Sequence, residues 1–414
     1  MHNKGFFHLF SANTLIHVIE FGSQLFVAWI LLADDIGRIK SLQTFASVGV
    51  IIAGLGFNTS ILKLCSEKNV SDNEKQTLFA SAIKTTLLFS FLTVLLGIVL
   101  SYFNLISNDT LTNNLFIYYC LSIPLLALNN LLVAYYQALK AFKKVSVLLI
   151  IARIIHVAII ISLTYIFGIK GFILGIILGF LISTLLLISK TEFIKNWNKT
   201  TAVHFKKNWE LAKYAFLGNT INTLSLYLDI FFLNHLVNNP EEIGFYGFAL
   251  TLISGLRIVT STAQQFVTPF YSEFSSNDSQ ILKAFKKSNK IFGITILAVG
   301  IVSVLIVPLV IHFLFSEKYD ASMFYFQILT LSWAIRSWVS LKGPFLLAIG
   351  YVNVAFQIAL IVLLITVVPY WFLVKFYQIQ GALYGQVFVA IVFFIVVNIS
   401  FKKVINKVYK TEQD

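Results

Sequence analysis

Asn13-Thr14-Leu15-Ile16-His17-Val18-Ile19-Glu20 returns 209 positions later as Asn222-Thr223-Leu224-Ser225-Leu226-Tyr227-Leu228-Asp229. Each copy opens on Asn-Thr-Leu and reaches, two helical turns on, one carboxylate in an otherwise apolar run. Working outward, Asp35-Ile36-Gly37 returns as Glu242-Ile243-Gly244, and the pair Gly171 and Gly175 returns as Gly381 and Gly385. The offset drifts by only a few residues, as loop insertions would cause, so the two halves of the chain read as copies of one unit.

Composition says what kind of unit is repeated. Of the 414 residues 58% are hydrophobic and 12% charged, whereas a soluble chain carries roughly a quarter charged residues. A soluble fold is excluded. Apolar runs bounded by polar clusters predict twelve spans, at about 6–32, 41–62, 79–102, 114–137, 145–167, 169–189, 212–236, 243–269, 291–315, 322–347, 352–374 and 378–400. Each copy holds an even number of spans, so both keep one orientation and the repeat is parallel, about an axis along the membrane normal. The expected fold is an all-α integral membrane protein, twelve transmembrane helices in two six-helix lobes. The expected boundaries are 1–190 for the first lobe, 191–211 for a Lys-rich cytosolic linker, 212–401 for the second lobe and 402–414 for a basic cytosolic tail.

The formal charge is +13, from 31 Lys and Arg against 18 Asp and Glu. Its distribution matters more than its sum. Lys63, Lys68 and Lys75, then Lys140, Lys143 and Lys144, then the Lys residues of 190–213, 283–290 and 402–410 all fall on one side of the predicted spans. Only Arg38, Lys40, Lys170, Lys318 and Lys375 fall on the other. By the positive-inside rule both termini are cytoplasmic, and the surplus records topology with no call for nucleic acid. The N-terminus lacks a cleavage site and reads as a retained first span. Cys65 and Cys120 read as apolar fillers, with neither a disulfide framework nor a metal site.

Charge inside a span is expensive, at least about 2.5 to 3.5 kcal/mol near the bilayer centre, and normally faces protein or water. Lys84 and Lys342 lie near span ends and can snorkel. Glu20, Asp229, Arg257 and Arg336 lie near mid-span, and Arg153 lies in the inner half of the fifth. Asn13, His17, Glu20 and Gln24 share one helical face; Asn219, Asn222 and Asp229 share another; Arg257, Ser261, Gln264 and Thr268 form a third. Three such stripes describe the wall of a wet cavity. The competing reading is a set of interhelical hydrogen bonds with a buried acid–arginine pair. His156 reads as a packing residue, and Gly171, Gly175 and Gly179 as a close-packing face. No nucleophile motif, metal-ligand spacing or phosphate-cradling loop is present, so the protein is not expected to be an enzyme.

The order of features resembles the polysaccharide flippase (Wzx-like) branch of the multidrug/oligosaccharidyl-lipid/polysaccharide exporter (MOP) superfamily. The resemblance rests on Asp34-Asp35-Ile36-Gly37 and Glu241-Glu242-Ile243-Gly244-Phe245-Tyr246, on Ala53-Gly54-Leu55-Gly56 and on Asp229. It also rests on Pro308 followed by Phe315-Ser316-Glu317-Lys318-Tyr319, and on the Gly-rich openings at 168–171 and 378–382. It implies a bacterial inner-membrane protein that flips an undecaprenyl-diphosphate-linked oligosaccharide from the cytoplasmic to the periplasmic leaflet for surface polysaccharide or O-antigen synthesis. The implied partners are that glycan, the lipid bilayer and other polysaccharide-assembly membrane proteins. The resemblance further implies basic cavity residues on the diphosphate, here Arg257, then Arg336 and Arg153. No cofactor is expected beyond a coupling H⁺ or Na⁺, for which Glu20 and Asp229 are the candidates, each alternatively pairing with Arg257. Asn13, His17, Gln24, Asn219, Asn222 and Gln264 would supply neutral cavity partners for sugar. The alternative in the same architecture is a cation-coupled multidrug (MATE-type) antiporter, which needs an acidic cavity.

Overall fold

The computed structural model describes residues 2–67, 70–189, 197, 199–237, 239–273, 278–315 and 317–410. Much of the predicted linker, at 191–196 and 198, and the last four residues of the predicted tail lie outside them. The described residues form helices and no strand: α1 (His2–Ile30), α2 (Ala33–Gly54), α3 (Phe57–Leu64), α4 (Asp72–Tyr102), α5 (Thr110–Tyr119), α6 (Ser122–Ala138), α7 (Phe142–Ile188), α8 (Ala202–Leu236), α9 (Pro240–Glu273), α10 (Asp278–Phe315), α11 (Ala321–Trp338), α12 (Lys342–Ala348) and α13 (Val352–Lys410). They divide into two compact units. One comprises residues 1–31 and 38–227, the other residues 32–37 and 228–414.

Among the described residues seven helices are long and apolar enough to cross a membrane, eight if α5 and α6, bent by 46°, count as one. Two of these are too long for one crossing. The 47 residues of α7 would reach about 70 Å at 1.5 Å per residue, more than twice the roughly 30 Å hydrocarbon layer. Each long helix is broken once by positive φ, at Gly168 (59°) and Gln378 (54°). Past the break in α7, Gly171 lies against the Leu163 carbonyl, Gly175 against Ile160 and Gly179 against the His156 ring. In α13, Gly381 lies against Leu373 and Gly385 against the Tyr370 ring. The partner numbers fall as the glycine numbers rise, so each long helix is an antiparallel hairpin holding two of the predicted spans. The spans predicted at 6–32 and 322–347 coincide with α1 and with α11–α12, whose polar residues take them below that apolarity.

The hairpin register gives a direct test. A methyl group on Gly179 would fall on the His156 imidazole, whereas one on Gly218 in α8 would meet nothing within 4 Å. Gly179→Ala should therefore cost about 1 to 3 kcal/mol through overpacking. Gly218→Ala should be neutral or gain up to about 1 kcal/mol. Thermal unfolding of the purified protein in detergent separates the two; equal midpoints would contradict the register.

The core of the first unit is built from Phe57, Ile61, Leu78, Phe79, Leu131, Tyr135 and Ala212, with Phe79 stacked on Tyr135 at 3.9 Å between ring centroids. Ala212 marks a difference from the predicted start of the seventh span, because α8 already begins at Ala202. The reason is an amphipathic start anchored by one buried amide, Asn208. Asn208 accepts from Ser60 Oγ and donates to the Leu78 carbonyl, both at 3.0 Å, while Phe205 and Trp209 pack edge-on to Phe57. Lys84 does more than snorkel: its Nζ donates to the Trp197 carbonyl and to Thr200 Oγ1, both at 2.7 Å. In the second unit Tyr246, Phe248, Tyr271, Tyr319, Phe326, Phe345 and Tyr370 are fully buried. Outside, Ile294, Leu297, Ile301 and Leu305 of α10 are exposed at helical spacing, as expected of a face in lipid. Cys65 and Cys120 are buried and free.

Helix starts follow local chemistry. Ser71 caps α4 by accepting from the Glu74 N–H, and Asp109 caps α5 through the N–H groups of Leu111 and Thr112. Asp109 also holds Arg38 Nε at 2.9 Å. Burial pushes the Asp109 carboxyl up, but its bonds from the Thr112 hydroxyl, Arg38 and the Thr112 N–H outweigh that and hold it below the ordinary aspartate range. A carboxylate held low in the fold contributes stability above its unfolded pKa and loses it as pH falls through the folded value. Asp109→Asn should therefore lower the thermal midpoint most at neutral pH, and the gap to wild type should close below about pH 4. A gap that widened in acid would contradict the assignment.

Candidate functional site

Each carboxylate of the repeated motif has a partner inside its own unit. In the first unit α1 packs along α7, bringing Glu20 onto Arg153 as a direct ion pair. His17 Nδ1 lies 3.4 Å from the other Glu20 oxygen. One turn beyond Arg153, His156 is buried at 2% exposure against Phe180. Gln24, a turn along α1, accepts from Lys40 Nζ at 3.1 Å. Asn13 is half-buried on the same helix. A carboxylate, an arginine and a histidine thus share one polar seam between two helices.

In the second unit Asp229 is 1% exposed. One carboxylate oxygen accepts from Tyr246 OH at 2.6 Å and from Gln386 Nε2 at 2.7 Å; the other accepts from the Ile230 N–H at 2.8 Å. The same Gln386 accepts, through Oε1, from an Arg336 guanidinium nitrogen at 3.1 Å. One amide therefore bridges a buried anion and a cation that do not bond directly. Arg336 Nε is buried without a partner among the described residues. Tyr370, on the first arm of the α13 hairpin, donates to the Ala382 carbonyl across the bend at 2.8 Å.

Arg257 on α9 is different. Its side chain is exposed and within electrostatic reach of Asp229 and Arg336, and no salt bridge to a described carboxylate engages it. Of the rest of its stripe, Gln264 donates to the Ser340 carbonyl at 3.1 Å, beside a Thr260–Ser337 hydroxyl contact at 3.0 Å. Gln264 therefore ties α9 to the segment between α11 and α12. Asn219 and Asn222 are exposed on the part of α8 that belongs to the first unit, whereas Asp229 on their helical face is buried in the second.

Gln386 and Tyr246 belong to none of the three polar stripes. Each is solitary: Gln386 stands in a long apolar run directly after Gly385, and Tyr246 ends the quoted Glu-Glu-Ile-Gly-Phe-Tyr motif. A lone amide at mid-span is itself a usable signal, since it must find a partner in protein.

Three solved structures share this arrangement of helices. An inward-facing multidrug resistance MATE family transporter of the MOP superfamily aligns with a TM-score of 0.75 at 13% identity, over 94% of this chain and 95% of that one. The lipid II flippase MurJ, in an inward closed conformation, aligns with a TM-score of 0.77 at 17% identity, over 95% and 87%. A MOP superfamily transporter from Pyrococcus furiosus, described as having a binding pocket of reverse polarity, aligns with a TM-score of 0.64 at 12% identity, over 96% of each chain. At these identities the likeness is one of fold, and the fold is that of MOP transporters. No curated protein matches the sequence. Residues 26–324 match the profile of the family described as "Polysaccharide biosynthesis protein", and a match over that much of the chain means that it belongs to the polysaccharide biosynthesis protein family.

Proposed function

We propose that the protein flips an undecaprenyl-diphosphate-linked oligosaccharide from the cytoplasmic to the periplasmic leaflet of a bacterial inner membrane by alternating access, with both termini in the cytosol. The observation that carries this reading is Arg257: an exposed arginine on a membrane helix, not held in a salt bridge by a described carboxylate and backed by a chain from buried Asp229 through Gln386 to half-buried Arg336. A diphosphate leaving water must exchange its hydration for fixed donors, and the planar fork of Arg suits phosphate oxygens. Exposed Asn219 and Asn222 offer neutral partners for sugar hydroxyls. The family description and the fold shared with a lipid II flippase agree in kind.

The Glu20–Arg153–His17 seam is assigned to coupling. A proton or Na⁺ taken up by Glu20 would release Arg153, giving the ion a differential effect on two states of the lobe. Arg153 then acts in coupling and not on the diphosphate. A multidrug antiporter for cations would need an open acid, but Glu20 is paired and Asp229 is buried.

The test is transfer of a fluorescent prenyl-diphosphate glycan between leaflets of proteoliposomes. Protein-dependent transfer is expected; transfer no faster than in empty liposomes, with correctly folded protein, would overturn the reading.

A further inference from the structure

Within the first unit a cavity of about 60 Å³ opens beside the break between α2 and α3, walled also by α4, α6 and α8. It is several times what one water molecule requires, about 10 to 15 Å³, yet too small for a sugar ring. Its polar lining is neutral: Asn58, Thr86, Asn130 and Asn219, set against the aliphatic side chains of Ile51 and Leu131.

Thr86 marks the cavity as unfinished. Its neighbours on α4, Thr85 and Thr93, satisfy their hydroxyls on the carbonyls four residues back, at 3.0 and 2.7 Å. Thr86 is 1% exposed and its Oγ1 has no partner among the described residues. A buried hydroxyl left unpaired costs about 1 to 3 kcal/mol, so a visiting group that bonds it recovers that cost. Asn130 and Asn219 are exposed, which puts amide donors and acceptors in reach of such a group.

The lining limits what fits. No cation is among the lining residues, which disfavours a phosphate. Half the wall is aliphatic, which disfavours a metal ion that needs oxygen on all sides. A small neutral group with an amide at one end and a methyl at the other matches both halves. We propose that this cavity receives the acetamido group of an N-acetylated sugar in the translocated glycan, an inference that rests on the flippase reading above. The acetyl methyl lies on Ile51 and Leu131, while its carbonyl and N–H meet Thr86 and the asparagine amides.

Saturation-transfer NMR on the purified protein in nanodiscs tests this with methyl 2-acetamido-2-deoxyglucoside as probe and methyl glucoside as control. Wild type is expected to transfer saturation most strongly to the acetyl methyl, and the control glycoside to show little. Ala127 also lines the cavity and is 3% exposed, so Ala127→Leu should fill it and abolish the signal. The nearly isosteric Thr86→Val, which should fold normally, should weaken apparent affinity about tenfold. No acetyl signal in wild type, or an equal signal in Thr86→Val and wild type, would overturn the subsite. Proteoliposome transfer by the same preparation separates the two ideas: transfer without the acetyl signal leaves the flippase and removes the subsite, whereas the signal without transfer does the reverse.

Discussion

Arg257→Ala should slow transfer of a prenyl-diphosphate glycan in proteoliposomes by about ten- to a hundredfold while leaving the amount and thermal midpoint of the protein unchanged. The two halves of that expectation come from one observation. Because the Arg257 side chain is exposed and bonded to no described carboxylate, its removal opens no cavity and strands no buried charge. Hydrogen bonds to charged groups contribute about 1.5 to 3 kcal/mol, and that range converts to the stated factor. Arg257→Lys keeps the charge but loses the two-pronged geometry, so it should fall between the two. Salt gives a second readout: an exposed charge contact weakens as ionic strength rises, so wild type should lose more of its rate in high salt than Arg257→Ala. Transfer by Arg257→Ala at the wild-type rate would remove Arg257 from the substrate path.

The largest stability effect is expected at Gln386. Gln386→Leu is close in volume, but it removes the amide that donates to Asp229 and accepts from Arg336. Asp229 then stays buried and Arg336 half-buried, each with one partner fewer. The expected cost is about 2 to 5 kcal/mol, between the loss of one charge-assisted bond and the breaking of a buried ion pair. Asp229→Asn should be milder, because the buried anion disappears while the side chain still accepts from Tyr246. Thermal unfolding of both variants in the same detergent checks the order. If Asp229→Asn proved the more damaging, the network would be held by the carboxylate and not by the bridging amide.

Much of the fold is legible in the sequence because lipid leaves few options. A chain with 12% charged residues must satisfy its backbone internally, and helices do so. Gly171, Gly175 and Gly179 are readable as a packing face and Gly381 and Gly385 as repeat mates of the first two, and all five lie where hairpin arms touch. The site was less legible. Helical periodicity places Glu20, His17 and Gln24 on one face, yet it cannot name Arg153 as the partner, because that depends on how α1 packs on α7. Periodicity also joined Asn219, Asn222 and Asp229 into one stripe, although burial separates them. Gln386 escapes helical periodicity for a plainer reason: a bridge made by one residue has no period.

The two acidic turns of the repeat, ending in Gly37 and Gly244, come together at the starts of α2 and α9. A Cβ on Gly37 would lie 2.5 Å from the Pro240 carbonyl and 2.8 Å from the Gly244 nitrogen, and one on Gly244 would collide with Ala33. Gly37 and Gly244 are mates in the sequence repeat, so here a motif packs against its own duplicate. Both glycines lie in the second unit, so the short segment 32–37 is seated there by backbone contact while the chain on either side of it belongs to the first. A Cβ at either position would have to displace backbone rather than the tip of a side chain, so this seat is closed to every residue but glycine.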